Sequence, residues 1–285
     1  MWAMKKTIWV LAVLMVVVIG SGILQSLSLR KKGNRLDKLL HLYIPMELAA
    51  REIEVSIWKT ANAIFYYMTE PSATSLRGYR KELKDVKEYM NKFKALVKTE
   101  MEKRIMAEFE ELWTDVVAKG GELLKLRDQM TKLQEKTWGA VHEVDNVIDY
   151  KLQAALVEGI PDQLKKEKAL REIEVSIWEA FNAINYYVHR QFDKPKREFP
   201  IQLEDVNEYW EDYKRLDLDS TEKPHLQEFA SNWMVASGLM KETVQLADEL
   251  KAKYIGFWES VHDAGDVIEF RIQRHLQKGL GQMEP

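Results

Sequence analysis

The side chains best suited to chemistry in this chain come in pairs, because its body repeats itself at an offset of 120 residues. His142 and His262 are one such pair, each four residues after a tryptophan, Trp138 or Trp258. A histidine titrates near physiological pH, so in a pocket it would contact a ligand or sense protons. At a helix boundary it would be structural. Glu259 and His262 have the Glu-x-x-His spacing that bundle di-iron proteins use twice, but Gly139 stands where the first repeat needs its glutamate. One such motif cannot build a di-metal site, and no metal is expected. The chain has no cysteine, which removes disulfides, thiolate metal sites and thiol nucleophiles together. Histidines in a bundle can hold haem, yet no Cys-x-x-Cys-His occurs and no cofactor is expected. Gly20-Ser21-Gly22 lies inside an apolar run and is no phosphate loop, and no Ser/His/Asp system is evident. The chain is expected not to be an enzyme.

A second set of candidates lies on one helical face. REIEVSIWKTANAIFYY at 51–67 recurs as REIEVSIWEAFNAINYY at 171–187. On a wheel of about 100° per residue, Ile53, Ile57 and Ile64 form an apolar stripe. Arg51, Val55, Trp58, Asn62 and Tyr66 fall nearly opposite, and all five recur as Arg171, Val175, Trp178, Asn182 and Tyr186. A purely solvated face drifts quickly after duplication, so this face should touch something. The partner could be another helix, a second subunit or a ligand. For a ligand, Arg51 and Arg171 would clamp an anion, with Asn62, Tyr66, Asn182 and Tyr186 as hydrogen-bonding groups.

The elements that carry these residues all read as helix. Ala50, Ile53, Ile57, Ala61, Ile64 and Met68 recur at 3–4 spacing, and Pro71-Ser72 should end that helix. A second helix is expected over about 75–98, with counterparts at about 162–192 and 201–216. Pro195, Pro200 and Pro224 should then fall outside the helices, with Pro45 marking a kink or restart. From Phe229 through Trp233, Met240, Leu250, Phe257 and Ile268 the apolar phase never slips, nor does it from Phe109 through Trp113, Leu123, Val141 and Ile148. Each stretch therefore predicts one helix of about 55 residues, about 80 Å long, even across Gly120-Gly121. The expected fold is all-α: an N-terminal transmembrane helix, then two stacked four-helix bundles built from two long and four shorter helices. The sequence repeats span 40–159 and 160–279. The expected modules are a tail and anchor at 1–34, a membrane-proximal bundle of 35–129 with 250–285, and a membrane-distal bundle of 130–249.

Composition agrees. Among 285 residues there are 42 Lys+Arg against 45 Asp+Glu, a net charge of −3, which argues against a nucleic-acid partner. Gly and Pro number only 13 and 7, as long helices with few turns require. Thr7 to Leu24 carries no charge and would cover about 27 Å as a helix, close to a bilayer's hydrocarbon core. It is expected to be an uncleaved anchor in the cytoplasmic membrane. Lys and Arg are more numerous on its C-terminal flank, which read literally would leave the helical domain in the cytoplasm, but long domains are translocated largely regardless of such charge, so the flanks leave both sides open.

YIPMELAAREIEVSIWKTANAIFYYM at 43–68, EFEELW at 108–113 and HEVDNVIDYKLQ at 142–153 look like segments of four-helix sensor modules. With the two long and four shorter helices, residues from about 35 to 280 resemble the helical bimodular sensor domain of bacterial chemoreceptors and sensor kinases. The resemblance implies a periplasmic, dimeric domain that binds a small metabolite, often an organic acid, between its helices. Ligand binding would shift helices, and a second membrane span would relay the shift in chemotaxis or two-component signalling. No hydrophobic span follows Gly279, and no downstream signalling region is present. The chain is thus expected to be either a receptor fragment or a single-span protein that signals through a partner. A non-sensory helical spacer or partner subunit is the rival reading, and a cofactor-bearing bundle a remote third.

Overall fold

The computed structural model describes residues 37–156, 162–190 and 193–281. They form six helices and, among the described residues, no strand. Helix α1 is Ile44–Thr69, preceded by a π-helical turn at Leu39–Tyr43. Helix α2 is Ala73–Leu96. Helix α3 is Glu100–Val147, which continues through a π turn at Ile148–Leu152 into Gln153–Ala155. Helices α4 and α5 are Gln163–Arg190 and Asp193–Arg215. Helix α6 is Lys223–Asp266, which continues through a π stretch at Val267–Gln273 into Arg274–Gly281.

The helix starts follow from side chains that satisfy orphan N–H groups. Before α2, Ser72 Oγ accepts the Ser75 N–H at 3.1 Å. Before α3, Thr99 Oγ1 accepts the Glu102 N–H at 3.2 Å, and Glu102 Oε2 accepts the N–H groups of Thr99 and Lys98 at 2.9 and 3.0 Å. This reciprocal pair is a capping box. Asp219 and Glu222 do the same before α6, at 3.1 and 2.9 Å. Pro45 sits at the second position of α1, just after the π turn. Its missing N–H releases a carbonyl one turn back, and the wider turn absorbs the mismatch.

Three prolines stand elsewhere than their expected places outside the helices. Pro195 and Pro200 lie within α5, and Pro224 lies in the first turn of α6. Pro195 and Pro224 occupy first-turn positions, where an N–H has no partner anyway. Pro200 is truly internal. The helix nevertheless extends back to Asp193, because the buried stripe Phe199, Leu203, Val206, Trp210 and Tyr213 begins before the proline and packs with α4. Burial of large side chains at about 1.5–3 kcal/mol each outweighs the lost backbone bond. Gly120-Gly121 do not interrupt α3.

The chain forms two compact units of interleaved segments. The first takes the described residues up to Trp58, Glu82–Glu111 and the described residues from Asp263. Its buried side chains include Met46, Ile53, Phe93, Phe109 and Ile268. The second takes Lys59–Lys81 and Leu112–His262. Its main core gathers Val141, Val144 and Ile148 of α3 and its continuation, Ile173, Ile177 and Ile184 of α4, and Phe229, Trp233 and Met240 of α6. No helix among the described residues is long and apolar enough to cross a membrane. The expected anchor Thr7–Leu24 lies outside the described residues.

Candidate functional site

The repeated face opposite the apolar stripe is open in both copies. Asn62 and Asn182 are exposed, Tyr66 and Tyr186 are each 61% exposed, and Val55 and Val175 are each 45% exposed. Trp178 is half-buried and packs against the core. Exposure matches at the valine, tryptophan, asparagine and tyrosine pairs of this face.

The arginines differ. Arg51 is half-buried and donates to Glu47 Oε1 of its own helix at 2.7 Å. The equivalent carboxylate in the second copy, Glu167, instead accepts the Gln163 side-chain amide at 2.8 Å. Tyr43 stands at the position equivalent to Gln163 and offers no amide. Arg171 is exposed, with no ion pair among the described residues. It lines an open cleft of about 610 Å³ with Gln153, Leu156, Leu164, Glu167, Lys168 and Glu174, where the end of α3 meets the start of α4. Two cations and two carboxylates line it, a composition suited to a small charged molecule.

Nearby, His142 is half-buried among aromatic rings. Its ring centroid lies 4.3 Å from Trp138 and 5.3 Å from Trp178, edge-on to both. The Trp178 indole N–H donates to Asp145 Oδ1 at 3.0 Å. Carboxylate oxygens of Asp145, Asp149 and Glu174 lie within 4.8 Å of one another. Burial first, and then the Asp145 charge, raise the Asp149 carboxyl above its ordinary range. Burial, followed by Asp149 and Asp145, raises Glu174, while Arg171 acts in the opposite direction.

Of the residues expected from the sequence, the structure thus brings His142 and Arg171 to one helix pair, α3 and α4. Asn182 and Tyr186 lie farther along α4 on its open face. His262 is exposed, with its ring centroid 6.0 Å from Trp258. Asp145, Asp149 and Glu174 were missed by sequence reasoning. The available signal was a difference between copies, since Asp145 corresponds to Gly265 while Glu174 corresponds to Glu54. No known family model matches this chain. A search of curated proteins also returns no match.

Proposed function

We propose that this chain is the ligand-binding part of a sensor, non-enzymatic, that takes a small organic acid in the α3–α4 cleft. Arg171 and Lys168 would hold the ligand's carboxylate, and a ligand bridging two helices would favour one packing of them over another. The observation that carries this reading is the contrast between the arginines, because Glu47 holds Arg51 whereas Arg171 is exposed with no ion pair among the described residues. Thr7–Leu24 is proposed to anchor the chain in the cytoplasmic membrane with the helices on the outer side, each compact unit acting as a four-helix module.

The test is a thermal-shift and calorimetric screen of the chain against organic acids, amino acids and amines. A ligand at 100 times its Kd adds about 2.7 kcal/mol of stability. The shift should vanish in Arg171→Ala and survive in Arg51→Ala. No response to any compound, or equal loss in both variants, would defeat the proposal. The rival reading, a helical spacer that docks a partner, is favoured by the open face of Val175, Asn182 and Tyr186. It predicts partner binding with no small-molecule shift.

A further inference from the structure

The seam between α3 and α4 changes character along its length. Lys168, Arg171 and Glu174 all line the cleft, each three residues after the last and so neighbours on one face of α4. Gln153 lines it from the α3 side and donates its amide to Asp149 Oδ1 at 3.3 Å. Through Glu174 and Gln153 the cleft thus continues into the carboxylates of Asp145, Asp149 and Glu174. Aromatic rings follow. The Trp178 indole donates to Asp145 at 3.0 Å, and the His142 ring lies 5.3 Å from that indole. The order is cation, carboxylate, ring, and Arg171 to Trp178 spans about 10 Å of helix.

Among the described residues none of the three carboxylates makes an ion pair. Burial first, and neighbouring carboxylates after it, raise Asp149 and Glu174, so a positive group placed there relieves an existing repulsion. We infer that the ligand of the cleft is an α-amino acid with an apolar side chain. Its carboxylate meets Lys168 and Arg171, its ammonium lies among Glu174, Asp149 and Asp145, and its side chain packs on Trp178 and His142. An acid without nitrogen satisfies only the basic end, and a second carboxylate on it would meet the trio with like charge. The first copy offers neither half. Leu48 replaces Lys168, Glu47 holds Arg51, Gly265 replaces Asp145, and the Gln273 amide occupies Glu54 at 2.7 Å. The inference rests on the cleft reading of the proposed function and narrows its ligand class.

The test is calorimetry on the full chain in mild detergent. The probes are phenylalanine and leucine, their deaminated acids 3-phenylpropionate and 4-methylpentanoate, and their decarboxylated amines 2-phenylethylamine and 3-methylbutylamine. At least one of the two amino acids should bind, at one site per chain and at least about tenfold more tightly than its own acid or amine. Asp145→Asn keeps a carbonyl for the Trp178 N–H, and Glu174→Gln keeps the side-chain shape. Each should weaken that amino acid about tenfold, as a charge-assisted bond becomes a neutral one, and should leave the acids bound no more weakly. A merely structural role would weaken acids and amino acids alike, and that result overturns the inference. Deaminated acids that bind as tightly as the amino acids also overturn it, and leave the organic-acid reading standing. No binding by either amino acid overturns it as well, and the organic-acid reading falls with it only if every acid in the wider screen is silent too.

Discussion

Glu102 and Glu222 occupy equivalent positions in the two copies, and both close the cap that starts a long helix. Their surroundings have diverged. Glu222 also accepts Lys166 Nζ at 2.6 Å and Tyr213 Oη at 2.7 Å, with the lysine and glutamate side chains 1% and 0% exposed. Burial, and then the hydrogen bond to Glu222, push the Tyr213 phenol far above its ordinary value. Around Glu102 the equivalent residues are Met46 and Phe93, both buried and apolar. Its charge is met instead by His275 at 3.6 Å, where the second copy has Ala155. Burial would raise the Glu102 carboxyl, but the N–H groups of Thr99 and Lys98, the Thr99 hydroxyl and His275 outweigh it and hold it below the ordinary range. Starting a helix fixed the glutamate twice, whereas the neutralisation of its buried charge was left open. One unit uses a half-exposed histidine, the other a sealed lysine and tyrosine.

The largest effect should come from breaking the sealed version. Lys166→Met leaves Glu222 buried without its cation and should cost about 3–5 kcal/mol in urea unfolding. Carrying the other copy's solution across, as Lys166→Met with Tyr213→Phe and Ala155→His, should recover roughly half of that loss, because coupled neighbours are not additive. A single variant within about 1 kcal/mol of the parent would show that the pair's attraction barely exceeds its desolvation.

A smaller effect is expected where a ring and a glycine have been exchanged for bulkier packing. A Cβ at Gly120 would meet Tyr79 Oη at 2.6 Å and Phe257 Cε2 at 3.4 Å. In the second copy the same two positions are Phe199 and Met240, both in the core. Loss of the hydroxyl goes with gain of a side chain. Gly120→Ala should therefore destabilise by about 1–3 kcal/mol, and Tyr79→Phe in the same chain should relieve it. Gly121→Ala, with open space around it, should stabilise by about 0.5–1 kcal/mol. Equal effects at 120 and 121 in denaturant melts would remove the steric argument.

These cases mark what the sequence could disclose. The 3–4 spacing from Phe109 to Ile148 and from Phe229 to Ile268 depends only on which face is buried, so both long helices were legible, including the passage through Gly120-Gly121. Pro200 was misplaced because a local penalty was read without the packing of Phe199 and Leu203 that overrides it. The arginine contrast was hidden for a related reason. Arg51 and Arg171 have identical local sequence from 51 to 58 and 171 to 178, and the two copies diverge in the two helical turns upstream, where Tyr43, Leu48 and Ala50 stand against Gln163, Lys168 and Leu170. The acidic trio depends on the phase at which α3 meets α4, which a wheel drawn for one helix does not contain.

That trio gives the smallest and most specific prediction. Asp149 and Glu174 have carboxyls raised above their ordinary values of 3.8 and 4.5, so between those values and the raised ones the folded chain holds protons more tightly than the unfolded chain. Stability tied to these groups is complete in acid, and is lost as pH rises through that interval towards neutrality. Glu174→Gln removes the titration and part of the like-charge contact. At pH 7 it should gain about 0.5 kcal/mol, or 1–2 °C in Tm, relative to the parent, and that gain should shrink towards zero near pH 3.5. The equivalent change in the other unit, Glu54→Gln, takes an anionic acceptor from the Gln273 amide and should lower Tm at pH 7. Opposite signs at pH 7 are thus expected from one substitution at one repeat position. If both variants move Tm in the same direction, then the environment set by Asp145 and Gly265 does not distinguish the two units, and the like-charge account of the trio fails.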